Sequence, residues 1–190
     1  MALKAFRIAL LGAVLYALAG CATLPSQTHP RAEPFDLLGR VLVSYEGRSF
    51  TANLRWLHAA QADDVWLMTP TGQALAQLRE DAEGAVITTA DQTQYRAGDV
   101  EALTRRALGW ELPVTRLQYW VRGRAAPDST AKVTQRDAAG KIQHLEQDGW
   151  RVSYEYYPPA QYDGLPRRME INGAAQRMRL VIDTWRNDEL

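Results

Sequence analysis

The sequence predicts a mainly β domain with a helical insertion: an incompletely closed antiparallel barrel of roughly ten or eleven strands, with the helices as lid or plug. Three observations predict it. Short runs of alternating apolar and polar residues recur from about Phe35 to Trp185, the period of half-buried strands. Turn pairs ending in glycine separate many of them, and the period changes to a helical one between Asp99 and Gly123. A curved sheet wrapped around its own apolar face accommodates all three; a β-sandwich is the alternative architecture.

The elements follow in order. Lys4 and Arg7 precede a charge-free, mostly apolar stretch from Ile8 to Ala19, the layout of a secretion signal and too short to span a bilayer. It closes on Leu18-Ala19-Gly20-Cys21, which resembles the lipobox of bacterial lipoproteins. Residues 1–20 are thus expected to be a removed signal, and Cys21 a lipid anchor carrying acyl chains. A lone cysteine in an exported chain is otherwise an unpaired thiol. Ala22 follows, where lipoproteins kept at the inner membrane usually carry Asp, so the expected location is the outer membrane, on its periplasmic face. Residues 21–34, with three prolines and no apolar periodicity, read as a flexible tether. The domain is expected over 35–190.

Strands are predicted at Leu38 to Tyr45 and at Phe50 to Leu57, where Phe50, Ala52, Leu54 and Trp56 share a face, with Glu46-Gly47 as the turn between. Val65 to Thr69, Ala74 to Leu78 and Val86 to Thr89 continue the meander, separated by Pro70-Thr71-Gly72 and Glu83-Gly84. Asp99 can cap a helix through Val100, Leu103, Ala107 and Leu108 that stops at Gly109. A second helix opens at Pro113 and carries Leu117, Trp120 and Val121 to Gly123. Strands resume at Lys132 to Arg136, Ile142 to Gln147, Trp150 to Tyr157, Arg167 to Ile171 and Arg177 to Trp185. Their turns fall at Ala139-Gly140, Asp148-Gly149 and Asn172-Gly173, the last a strong hairpin signal.

Composition limits the function. Without residues 1–20 the chain keeps 20 Lys and Arg against 22 Asp and Glu, a net charge near −2. No basic run exists to neutralise phosphates, which argues against a nucleic-acid partner. Six Trp and eight Tyr against three Phe favour rings with a polar handle, suited to partly wet cavities and interfaces. No Gly-x-Ser-x-Gly elbow occurs. His58 and His144 stand alone, and the single cysteine leaves no zinc ligand set. Asp63/Asp64 and Glu80/Asp81 fall where solvated turns are expected. The expectation is therefore no enzyme, no metal and no cofactor.

Several segments stand out together: Leu37-Leu38-Gly39-Arg40, Trp56, Met68-Thr69-Pro70-Thr71-Gly72, Leu108-Gly109-Trp110-Glu111-Leu112-Pro113, Tyr119-Trp120-Val121-Arg122-Gly123, Gly149-Trp150-Arg151-Val152-Ser153-Tyr154, Leu165-Pro166 and Leu180-Val181-Ile182-Asp183-Thr184-Trp185. In their joint spacing they resemble the LolB family of outer-membrane lipoprotein receptors. The resemblance implies a monomeric carrier that accepts lipoproteins from a LolA-like periplasmic protein. It would cover their acyl chains in an apolar cavity and place them in the inner leaflet of the outer membrane. A projecting loop assists delivery in that family, and it matches Pro70-Thr71-Gly72. The family usually shows Leu where this chain has Thr71, so either a neighbour such as Met68 or Leu75 supplies the apolar contact, or delivery is arranged differently here.

The residues expected to line the cavity are Leu54, Trp56, Trp66, Met68, Leu78, Trp120, Trp150, Tyr154, Met169, Ile171, Met178, Leu180 and Ile182. Strand faces of this kind supply the apolar surface an acyl chain needs, and methionine adapts to ligands of variable shape. The same alternation also serves a filled core. Arg40, Arg55, Arg122 and Arg179 are candidates for docking against an acidic rim on the carrier. A structural or assembly lipoprotein that binds protein partners without carrying lipid is the alternative function.

Overall fold

The structure, a computed structural model, describes residues 31–186. The secretion signal, Cys21 and most of the tether lie outside the described residues. Eleven strands form one sheet: β1 Phe35–Tyr45, β2 Arg48–His58, β3 Asp63–Met68, β4 Ala74–Asp81, β5 Gly84–Thr89, β6 Gln94–Ala97, β7 Ala131–Arg136, β8 Ile142–Gln147, β9 Trp150–Tyr156, β10 Pro166–Asn172 and β11 Gln176–Arg186. Their order is β6-β5-β4-β3-β2-β1-β11-β10-β9-β8-β7. Every neighbouring pair is antiparallel, and β6 and β7 are free edges, so the barrel is open as expected.

The topology follows from hairpins. Two meanders, β1–β6 and β7–β11, meet where β1 pairs with β11 at the sheet centre. The connection from edge β6 to edge β7 has to cross the open side, and it does so through α1 Val100–Leu108 and α2 Val114–Trp120. Val100, Leu103, Trp110, Val114, Leu117, Trp120 and Val121 of this insert are buried in the same core as the strands. The insert is therefore folded onto the concave face.

Turn chemistry explains the register. Glu46 and Gly47 have φ of 47° and 73°, and Asp148 and Gly149 have 49° and 79°. Positive φ at both central residues is the two-residue hairpin geometry that suits strand twist. Asn172-Gly173 also opens a hairpin, but for another reason. Gly173 is not left-handed, and its amide donates to the Gln176 carbonyl at 2.9 Å. A Cβ at this position would lie 2.8 Å from the Trp150 ring, so glycine is required by the approach of the indole. Gly39 sits at the bulge between β1 and β11, where a Cβ would lie 2.3 Å from the Val181 carbonyl oxygen.

The sequence reading passes over β6. Gln94–Ala97 is a four-residue edge strand with one aromatic ring, Tyr95, too short for alternation to register.

The pairing defines two ends of the barrel. One end holds the start of β1, the β2–β3 turn at His58 and Asp63, and the β4–β5 turn. The other holds the β1–β2, β3–β4, β8–β9 and β10–β11 turns. Among the described residues, no helix is long and apolar enough to cross a membrane.

Candidate functional site

The N-terminal half of the sheet and the insert meet at a small apolar pocket, closed down to about 10 Å³. Val65 and Leu67 of β3, Ala76 and Leu78 of β4, and Ile87 of β5 form its floor; Thr104 and Leu108 of α1 and Leu112 of the inter-helix loop form its roof. A cleft of about 470 Å³ adjoins it and shares Leu67, Ala76 and Leu108 as lining. Tyr45, Phe50, Tyr95 and Trp110 border this cleft, which opens at the end of the barrel that carries the β3–β4 turn. Leu67, Ala76 and Leu108 thus form the wall between an open aromatic cleft and the closed apolar contact under α1.

The two helices are held differently. Trp120 of α2 is fully buried, and its Nε1 donates to Gln147 Oε1 at 2.9 Å. The Gln147 amide in turn donates to the Ala126 carbonyl at 2.7 Å, and Trp150 meets Trp120 edge-on at 6.4 Å. Helix α1 buries only one stripe, Val100, Leu103 and Thr104, and exposes Ala102, Arg105 and Arg106. Its N-cap is Asp99, which accepts from the Ala102 amide at 2.5 Å, and Gly109 ends it in the left-handed region. The inter-helix loop is clamped to β11: the Gln176 side chain accepts from Glu111 N at 2.9 Å and donates to the Glu111 carbonyl at 2.6 Å.

The expected lining residues divide into three groups. Leu78 lines the pocket. Leu54, Trp56, Trp120, Trp150, Tyr154, Met169, Ile171, Met178, Leu180 and Ile182 lie in the packed core on the concave side. Trp66 and Met68, expected in the cavity, do not face inward and line neither pocket nor cleft. Register pairs Leu54 with Leu67 and Arg55 with Trp66, which puts Val65 and Leu67 inside and Trp66 and Met68 on the outer face, half-buried. Trp66 carries the Arg55 guanidinium over its ring at 5.4 Å. Sequence reasoning missed Val65, Leu67, Ala76, Ile87, Leu108, Trp110 and Leu112. In β3 both faces are apolar, so alternation does not tell inside from outside; the segment Leu108 to Pro113 carries no local sign that it roofs a pocket.

Pro70, Thr71 and Gly72 are exposed at the tip of the β3–β4 hairpin. The tip is polar and well braced: Gly72 N donates to the Thr69 carbonyl at 2.9 Å, and the Thr69 and Thr71 hydroxyls lie 2.8 Å apart. Met68 is half-buried, and Leu75 is half-buried where it lines the cleft. The four docking arginines are all paired within the chain: Arg40 with Asp183, Arg55 with Asp36, Arg122 with Glu33 and Arg179 with Glu170.

A polar cluster fills the end where β1 begins. Asp63, expected in a solvated turn, is instead 1% exposed. It accepts from Trp56 Nε1 at 2.6 Å, pairs with His58 Nδ1 at 2.7 Å, and is bridged by Arg31. His58 Nε2 lies 3.1 Å from the Ala32 carbonyl, and Ala32 N donates to Gln118 Oε1 at 3.0 Å. The chain entering the domain is thereby fixed to both sheet and α2. Glu80, opposite Asp63 in β4, is pushed up to about 7 by burial, with Asp63, Glu101 and Asp99 adding to the rise and Arg31 opposing it.

An open antiparallel barrel with a helical insert over its concave face defines a class, and solved structures share it. A LolA superfamily protein from Nitrosomonas europaea matches with a TM-score of 0.54 at 8% identity, over 85% of this chain and 88% of that one. A DUF1329 family protein from Desulfovibrio piger matches equally, with a TM-score of 0.54 at 7% identity, over 85% of this chain and 87% of that one. At such identities the likeness is one of fold. Sequence relatives carry it further. The family model described as outer membrane lipoprotein LolB matches residues 33–185. Outer-membrane lipoprotein LolB of Nitrosomonas europaea is 38% identical over 82% of this chain and 74% of its own, and that of Thiobacillus denitrificans is 37% identical over 95% and 98%. The chain belongs to the LolB family of outer-membrane lipoproteins.

Proposed function

We propose that this chain accepts lipoproteins from a LolA-like carrier, shields their acyl chains beneath α1, and releases them into the inner leaflet of the outer membrane. In this reading Cys21 holds the domain on the periplasmic face of that membrane by its own acyl chains. Two or more chains give stable anchoring. No catalysis and no cofactor are needed.

The observation that carries the reading is the apolar face of β3, β4 and β5 roofed by α1, closed to about 10 Å³ as it stands and sharing Leu67, Ala76 and Leu108 with an aromatic cleft of about 470 Å³ at the loop end. An acyl chain gains about 25 cal/mol per Å² of apolar surface removed from water. Helix α1 is the element suited to move, because it buries one stripe; α2, locked by the Trp120–Gln147 hydrogen bond, is the fixed plug. Lifting α1 exposes Val65, Leu67, Leu78 and Ile87 together. Affinity has to be higher here than on the carrier, since a ligand moves only down a difference in binding free energy.

Leu108→Asp tests the site. Leu108 is half-buried and lines both pocket and cleft, so a carboxylate there places a charge on the path of the chain. Uptake of an acyl-chain dye is expected to fall about tenfold or more, the equivalent of roughly 1.4 kcal/mol, with the circular dichroism spectrum unchanged. Unaltered uptake in a folded variant would remove this pocket from the site.

A further inference from the structure

Tyr154 lies on the concave side of β9, level with Met169 of β10, and is 8% exposed. Its ring stacks on Tyr156 with centroids 5.8 Å apart and planes 21° from parallel. Neighbouring tyrosines satisfy their hydroxyls: Tyr156 donates to the Ile142 carbonyl at 2.5 Å, and Tyr157 to the Ile182 carbonyl at 2.7 Å. The Tyr154 hydroxyl is buried and has no hydrogen-bond partner among the described residues. Native interiors rarely tolerate this, because such a group has given up water for nothing. Phenylalanine would give the same ring contact without that cost. The hydroxyl is therefore a buried donor open to an acceptor from outside the chain.

Its setting narrows the ligand. Burial pushes the phenol well above its ordinary value, so it stays a neutral donor. Tyr156 lines a cleft of about 510 Å³ near the exit of α2, whose rim bears Arg122, Arg124, Arg136 and Lys141 against Asp163. The Tyr154 ring is thus one aromatic layer from a second opening, with apolar Met169 beside it. A partner compatible with this place is hydrocarbon with one acceptor at its head.

We propose that the Tyr154 hydroxyl donates a hydrogen bond to the ester carbonyl of a bound acyl group and so fixes how deep the lipid head enters. The proposal rests on the carrier reading. An ester carbonyl accepts and cannot donate, matching a lone donor, and it brings no charge into the core. The contact also compensates a hydroxyl that the closed domain leaves unsatisfied.

The test uses two glycerolipids of equal chain length, 1-monopalmitoylglycerol and its ether counterpart 1-O-hexadecylglycerol, which lacks the carbonyl. Each displaces a bound acyl-chain dye from the mature chain carrying Cys21→Ala, with and without Tyr154→Phe. The unsubstituted Tyr154 protein should prefer ester to ether about fivefold, the worth of one net hydrogen bond. Tyr154→Phe should abolish that preference, keep the ether affinity, and leave the melting temperature unchanged or higher. An ester preference that survives Tyr154→Phe, or equal loss for both lipids, overturns the proposal, as does a Phe variant that fails to fold. Binding of both lipids without any ester preference in the Tyr154 protein overturns it and leaves the carrier reading standing. Binding of neither lipid overturns both.

Discussion

Glu80 faces a sheet end crowded with acids. Its folded-state value is raised from 4.5 to about 7, first by burial and then by Asp63 and Glu101. A carboxyl raised on folding favours the protonated folded state, so the folded chain holds more protons than the unfolded one between these values. Stability is accordingly expected to fall as pH rises from about 4.5 to 7, and to level above that. Glu80→Gln should flatten the decline, and parallel melting-temperature profiles for the two proteins would contradict the assignment. The same cluster shows where single residues were illegible. Asp63 beside Asp64 looks like a turn pair, because nothing local announces that Trp56, His58 and Arg31 converge on it from elsewhere in the chain. Trp66 and Met68 were misplaced for a related reason. A strand apolar on both faces carries no phase, and only pairing with Leu54 and Arg55 sets it. Leu54 and Met178, with charged or polar residues on both sides, and Leu180 and Ile182, with one such neighbour each, could be placed inward from sequence.

Among the elements, the hairpins were the most legible, since a turn pair with glycine second dictates its own backbone. Edge strand β6 was not, being four residues with a single ring. The difference between the helices was also hidden: both show helical periodicity, but only tertiary partners hold α2 by the Trp120–Gln147 bond and leave α1 with a single buried stripe, the basis for the proposed lid. Asp99 is the accessible handle on the lid. Its carboxylate satisfies the Ala102 amide at the start of α1, and losing a cap costs about 1 kcal/mol. Asp99→Ala should therefore speed amide exchange within Leu103–Leu108 about fivefold, with β1 and β11 unaffected. A uniform acceleration across the sheet would mean that α1 does not open on its own.

At the scale of the whole molecule, the two ends of the barrel have different work. The chain enters at the end closed by the Arg31–Asp63–His58 cluster, and the aromatic cleft and the Pro70-Thr71-Gly72 tip lie at the other. The ten residue steps from Cys21 to Arg31 reach at most about 36 Å, similar to the roughly 33 Å length of β1. With its lipid on Cys21, as proposed, that reach lets either end of the domain face the membrane. Its polar tip differs from the apolar loop that the family resemblance implied, and the apolar side chains at this end, Leu75, Phe50 and Trp110, gather in the cleft beside it.

Transfer from a carrier to this domain, as proposed, requires that the domain bind acyl chains more tightly than the carrier does. The direct measurement is to mix the mature chain with a purified LolA-like carrier loaded with a labelled triacylated lipoprotein, without ATP, and to locate the label by affinity separation. Most of the label is expected on this chain at equimolar mixing, and little is expected to return when empty carrier is added. Label that stays on the carrier, or a chain that never holds it, would contradict the account.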